Sequence, residues 1–246
     1  MYHFNLIVMN KKLQYSLMAL WIAVFALSAT SCIGHTGNGK VVKEERNVSG
    51  FEAISVNNGI ELLVSQDTFE KVVVEADENI QKILRTEVKD GKLKIFLDEN
   101  VLHAKKMKVY VTVKQLKAVE ASSGAEVKSG NQIKAESLKI HSSSGSDVTM
   151  EIACSQVTLD SSSGSDMAIS GTTQSLKAES SSGSDLKASK LKAEKADVSA
   201  SSGSDLEVYV SKELKAHSSS GSDITVYGNP AIRDTNSSSG GDVSFR

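Results

Sequence analysis

The 246-residue sequence predicts an all-β protein built as a single parallel β-helix. Three observations predict it. A Ser-Gly-Ser-Asp motif recurs, the recurrences are evenly spaced, and apolar residues alternate with polar ones on both sides of each copy. With the central glycine as ruler, the copies fall at Gly124, Gly145, Gly164, Gly183, Gly203, Gly221 and Gly240, at intervals of 21, 19, 19, 20, 18 and 19 residues. A fixed period of this length marks a solenoid, in which each repeat buries its apolar side against its neighbours. The first copy ("ASSGAE") and the last ("SSSGGD") depart from the pattern, as the ends of a stacked array do.

Composition narrows the function classes. The formal net charge is −2, with 28 basic and 30 acidic residues. No basic excess points to a nucleic-acid partner. Pro230 is the only proline. Apolar residues alternate through the serine-rich stretches, which argues against a disordered chain.

In chain order, residues 1–31 read as a signal peptide. Lys11 and Lys12 precede the apolar run "LMALWIAVFALSA", which is short for a membrane span. The run ends in "SATSC", which resembles a bacterial lipoprotein signal with Cys32 as the lipidated first residue of the mature chain. Such signals usually carry Leu three positions before the cysteine, where this chain has Ala29. An ordinary secretory signal with an incidental cysteine is the alternative. Residues 32–46 follow as the lipidated cysteine and a flexible tether. "IGHTGNGK" has no acidic cluster, which favours an outer-membrane lipoprotein facing the periplasm over one facing outward. Cys154 is the only other cysteine, so acylation of Cys32 leaves no intrachain disulfide. No His and Asn/Asp pattern accompanies Cys154, which reads as a small buried residue.

Residues 47–116 are strand-rich but irregular: "FEAISV", "GIELLVSQ", "KVVVEAD", "KLKIFLDE" and "KMKVYVTV". "KDGK" (89–92) predicts a tight hairpin turn. "DENIQKIL" predicts one short helix with Asp77 as its N-cap. This third lacks the Ser-Gly corner and forms either the opening coils and cap of the solenoid or a small separate β domain. A cap is needed because an open β-helix end invites edge pairing.

Residues 117–246 carry the regular repeats. Seven before the glycine stand Lys117, Leu138, Val157, Leu176, Ala196, Leu214 and Arg233. Three after it stand Val127, Val148, Met167, Leu186, Leu206, Ile224 and Val243. Period-2 alternation around a small-residue corner gives two strands per repeat, each with one buried face. A coil of about 19 residues traces a perimeter near 60 Å, and coils stack about 4.8 Å apart. Three before the glycine, Ser and Ala interchange (Ala121, Ser142, Ser161, Ser180, Ala200). Small size there matters more than the hydroxyl, because the bend has no room for more.

The order "ISVNNGIELLVSQ", "VVVEADENI", "VKDGKLKIFL", "MKVYVTVKQLKAVEASSGAEV", then Ser-Gly repeats, resembles the head GIN domain family of auto-transporter adhesin-like envelope proteins of Bacteroidetes. The resemblance covers residues 47–246. It implies a right-handed β-helix and a lipoprotein or secreted location, and it carries over no catalytic residue.

Two sets of residues are candidate sites. Two after each glycine stand Asp147, Asp166, Asp185, Asp205 and Asp223. Stacking sets these carboxylates about 5 Å apart, which costs about 1 kcal/mol per neighbouring pair in water-like surroundings. Either each accepts a hydrogen bond from a corner amide, or the column is a Ca²⁺ ladder. The calcium β-roll repeat G-G-x-G-x-D-x-U-x shares only Gly-x-Asp with this one. Tyr209 and Tyr227 share an outward column and form a candidate carbohydrate contact; stacking that merely stabilises the sheet is the alternative. Tyr110 is also outward. His141 and His217 lie too far apart in the stack to share a metal. Ser, His and Asp recur together as a product of repetition, with no residue breaking the pattern as a nucleophile would. The sequence thus predicts a non-catalytic, lipid-anchored module binding a glycan or envelope partner. A self-associating structural component is the alternative, and a polysaccharide-active enzyme comes third.

Overall fold

A computed structural model describes residues 34–246. Residues His35–Arg246 form one compact unit with one continuous apolar core. The signal segment and Cys32 lie outside the described residues.

The strands in chain order are β1 (His35–Thr36), β2 (Val41–Arg46), β3 (Ala53–Val56), β4 (Glu61–Gln66), β5 (Lys71–Asp77), β6 (Leu84–Lys89), β7 (Lys92–Leu97), β8 (Val101–His103), β9 (Met107–Val113) and β10 (Ala118–Ala121). They continue with β11 (Glu126–Ser129), β12 (Ile133–Ser142), β13 (Asp147–Ser161), β14 (Asp166–Ser180), β15 (Asp185–Ala200), β16 (Asp205–Ser218), β17 (Asp223–Tyr227), β18 (Ile232–Ser237) and β19 (Asp242–Phe245). No helix occurs among the described residues.

The fold is an all-β solenoid with coils about 19 residues apart. The face after each glycine stacks in the order β9–β4–β11–β13–β14–β15–β16–β17–β19, all parallel. The face before each glycine stacks as β7–β3–β10–β12–β13–β14–β15–β16–β18. The register pairs equivalent columns: Leu138 with Val157, Val157 with Leu176, and Asp147 with Asp166. Alternate residues point inward, and Ile140, Leu159, Ala178, Val198 and Ala216 are all buried.

The N-terminal third extends both faces in an order that differs from the chain order. β3 and β4 form a true coil, placed between β10–β11 on one side and β7–β9 on the other. Beyond them the direction reverses: β5 runs antiparallel to β9, β2 to β5, and β6 to β7. Antiparallel strands close this end of the stack. Lys89 pairs with Lys92 around Asp90 and Gly91, both at positive φ, so the hairpin predicted at "KDGK" is present.

Two expectations need correction. The segment after Asp77 forms turns: only six residues separate β5 from β6, and several of them are pinned. Gln81 Nε2 donates to Val42 O and Val74 O at 3.0 Å each, and Ile80 and Leu84 are buried. The buried Asp77 side chain, expected as a helix cap, instead accepts hydrogen bonds at Oδ2 from the amides of Gly39 (3.3 Å) and Lys105 (3.1 Å). Second, the expected flexible tether is folded from His35 onward: β1 pairs with β8, and β2 with β5. The structure adds a corner that sequence reasoning did not mark: "VNNGI" is a turn of the repeat type. Asn58 (φ 60°) and Gly59 (φ 68°) take the left-handed conformation of the Ser-Gly pairs, and Gly59 N donates to Ser123 O at 3.0 Å.

Candidate binding surface

Each Ser-Gly pair is the centre of a tight turn. The serine before the glycine has φ of 50–57° in all seven copies, and the glycine follows at 66–79°. Two successive left-handed residues favour Asn or Gly, and serine tolerates the first position at a steric cost. Backbone ladders offset that cost. The Gly145 amide donates to Ser163 O in one neighbouring coil, while the Asp166 amide reaches back to Ser146 O.

The serine one after the glycine is the hub of the corner. Ser146, Ser165, Ser184, Ser204 and Ser222 are fully buried. Ser184 Oγ sits 3.0 Å from Ser180 Oγ, 2.9 Å from Ser161 O in the preceding coil and 2.8 Å from Ser181 O, and it accepts from Ser181 N at 3.2 Å. The hydroxyls therefore pair across a bend within one coil, instead of along the stack. This hub takes the amide contact expected of the aspartates. No side-chain hydrogen bond to Asp147, Asp166, Asp185, Asp205 or Asp223 is present among the described residues. Burial, followed by the charges of Asp185 and Asp223, raises the Asp205 pKa above the usual carboxylate value. No group of three or more His, Cys, Asp or Glu side chains among the described residues is arranged to hold a metal ion.

A groove runs along the second bend of the coils from β12 to β16. It has a volume of about 500 Å³ and is lined by residues of these five strands. Its floor is a column of small residues, Ala135, Cys154, Thr173 and Ala193, paired in register. Gln174, Lys192 and Glu194 rim it, and Tyr209 stands at one end. Tyr209 pairs in register with Tyr227, as their shared column predicts. Cys154 is 7% exposed, and burial raises its thiol pKa. Sequence reasoning missed the groove, although a signal was present. Among the interior copies the 20- and 18-residue intervals are uneven, and the register between β15 and β16 shifts between Ala188 and Lys195, at this bend.

The other candidates are structural. Tyr110 donates to Glu75 at 2.6 Å, which lowers the Glu75 pKa, and Lys43 and Lys108 lie over its ring. His141 Nδ1 is 3.1 Å from Asp160. At the far end of the stack, Arg233 occupies an inward column and lies over the Phe245 ring at 4.4 Å.

A family model described as "Putative auto-transporter adhesin, head GIN domain" matches residues 50–230. Three crystal structures share the fold. A putative adhesin from Bacteroides fragilis superposes with a TM-score of 0.82 at 20% identity, covering 87% of this chain and 100% of its own. A putative adhesin from Parabacteroides merdae gives 0.70 at 18% identity, covering 86% and 98%. A protein from Parabacteroides distasonis described as a putative lipid binding protein gives 0.71 at 19%, covering 86% and 99%. No curated protein matches significantly.

Proposed function

The chain belongs to the head GIN domain family, and on that premise we propose that it is a non-catalytic binding module of the cell envelope. Acylated Cys32 anchors it to the outer membrane, on the periplasmic side. The solenoid offers a glycan or an envelope partner the groove and the tyrosine pair at its end.

One observation carries this reading: the groove runs across several coils, is floored by small side chains, and ends at Tyr209, which pairs in register with Tyr227. An extended polymer fits such a floor, and a tyrosine face packs against a sugar ring while its hydroxyl stays wet. The chemistry of the corners supports a non-catalytic role. The buried serine hydroxyls are spent on backbone carbonyls and on one another. End-to-end self-association is the alternative reading, and an inward arginine at the terminal strand works against it.

A glycan array probed with the protein and with a Tyr209→Ala/Tyr227→Ala variant tests the proposal. The parent is expected to bind a defined glycan subset and the variant to lose at least tenfold in affinity. Undiminished binding by the variant removes the tyrosines from the site. Absence of any glycan or envelope ligand removes the function.

A further inference from the structure

Among the described residues, strand pairing begins at His35, three positions after Cys32. His35 N donates to Asn100 O and Gly37 N to His103 O, both at 2.7 Å. Asn79 clasps the same segment, donating to Thr36 O at 2.8 Å and accepting from Asn38 N at 2.9 Å. Only Ile33 and Gly34 separate Cys32 from this clasp. Three extended residues span at most about 11 Å. The headgroup layer on each side of a bilayer is itself about 5–8 Å thick. Acylation of Cys32 therefore leaves almost no slack between the lipid and the β1–β8 ribbon.

That ribbon has an unusual surface. Leu102, in β8, is 59% exposed although most large apolar side chains here are buried. His103 and Lys105 beside it are exposed too. An exposed apolar side chain with a lysine three residues on suits a headgroup layer, where the apolar part enters the acyl boundary and the cation meets phosphate. We propose that the β1–β8 ribbon is a membrane-seating surface, with Leu102 inserted and Lys105 against lipid phosphate. The domain is then held on its capped end in a defined orientation. From β9 to β19 the post-glycine face has eight strand spacings, so the terminal coil is carried about 38 Å along the stack from the ribbon. This inference rests on the acylation of Cys32 proposed above.

Trp21, the only tryptophan, lies in the signal segment, so a tryptophan introduced into the mature chain is a lone reporter. Full-length Leu102→Trp and Thr235→Trp proteins, purified after acylation, are reconstituted into phosphatidylethanolamine/phosphatidylglycerol vesicles with brominated acyl chains. Intact mass establishes the acyl group. The tryptophan at 102 is expected to be quenched at least threefold more strongly than the one at 235, with a blue-shifted emission. An acylated, vesicle-bound protein whose two reporters are equally unquenched overturns the seating and leaves the anchor standing. A protein lacking the acyl group overturns both.

Discussion

Removing both hydroxyls of one corner should cost less than the two single removals added together. Ser184 Oγ carries a single proton and lies within reach of Ser180 Oγ, Ser161 O and Ser181 O, all in a dry corner. Ser184→Ala removes that donor and leaves Ser180 Oγ with the Ser184 carbonyl at 3.1 Å and a long contact to Asp205 O at 3.4 Å. The Ser181 amide keeps a bond to Ser161 O at 3.0 Å, so it is not orphaned. One net hydrogen bond plus one weakened buried polar group gives a loss of about 2 kcal/mol. Ser180→Ala should cost about 1 kcal/mol, since Ala200 occupies the equivalent position above a serine at 204. The double variant reproduces the Ala121/Ala125 corner, where both partners are apolar. It should lose only about 2 kcal/mol, for a coupling near 1 kcal/mol. At this chain length each kcal/mol moves Tm by about 2–4 °C. Urea unfolding followed by β-sheet circular dichroism, with an unchanged m value, reads the cycle. A double variant whose loss equals the sum of the singles, within about 0.3 kcal/mol, would refute the hub.

Three further outcomes follow from the same geometry. Asp205→Asn should stabilise the protein at pH 7. Two like neighbours about 5 Å away, screened at physiological salt, give about 0.5–1 kcal/mol, or about 2 °C in Tm. The Asp205 pKa is raised in the fold, so the native state holds that proton more firmly than the unfolded chain does. Its contribution is therefore fully favourable below the unfolded value of 3.8 and is lost as pH rises through the raised value. The gain from Asp205→Asn should accordingly vanish near pH 3, and melting in calcium against chelator separates repulsion from cation binding: a calcium-dependent rise lost in the variant would establish a cation ladder. Cys154 should react with a thiol reagent at pH 8 at least tenfold more slowly in the native protein than in urea, because burial raises its pKa; equal rates would place it in an open groove.

The regular coils were legible because one column decides one contact. Leu138, Val157, Leu176, Ala196 and Leu214 stand seven before their glycines, and the sheet pairs them in that order. The cap was less legible. Period-2 alternation in β5, β6 and β7 fixes an inward face, but it does not fix which strand lies beside which, and the antiparallel reversal at β5 and β6 depends on long-range pairing. Residues 57–60 were not legible as a corner because the turn there is Asn-Gly with Val56 and Ile60 inside, so the serine signature is absent while the backbone conformation is the same. Residues 35–40 look like a polar linker, and only distant partners, β8 together with Asp77 and Asn79, make them structure. The groove was hidden for a similar reason. Ala135, Cys154, Thr173 and Ala193 share no residue type, and only their register aligns them.

Both the anchored-module reading and the membrane-seating surface depend on Cys32. Metabolic labelling with palmitate, combined with membrane fractionation of the native chain and a Cys32→Ala variant, tests that dependence directly. The native chain should carry the label and sediment with membranes, and the variant should lose both. A native chain that is unlabelled and released in soluble form would contradict the account.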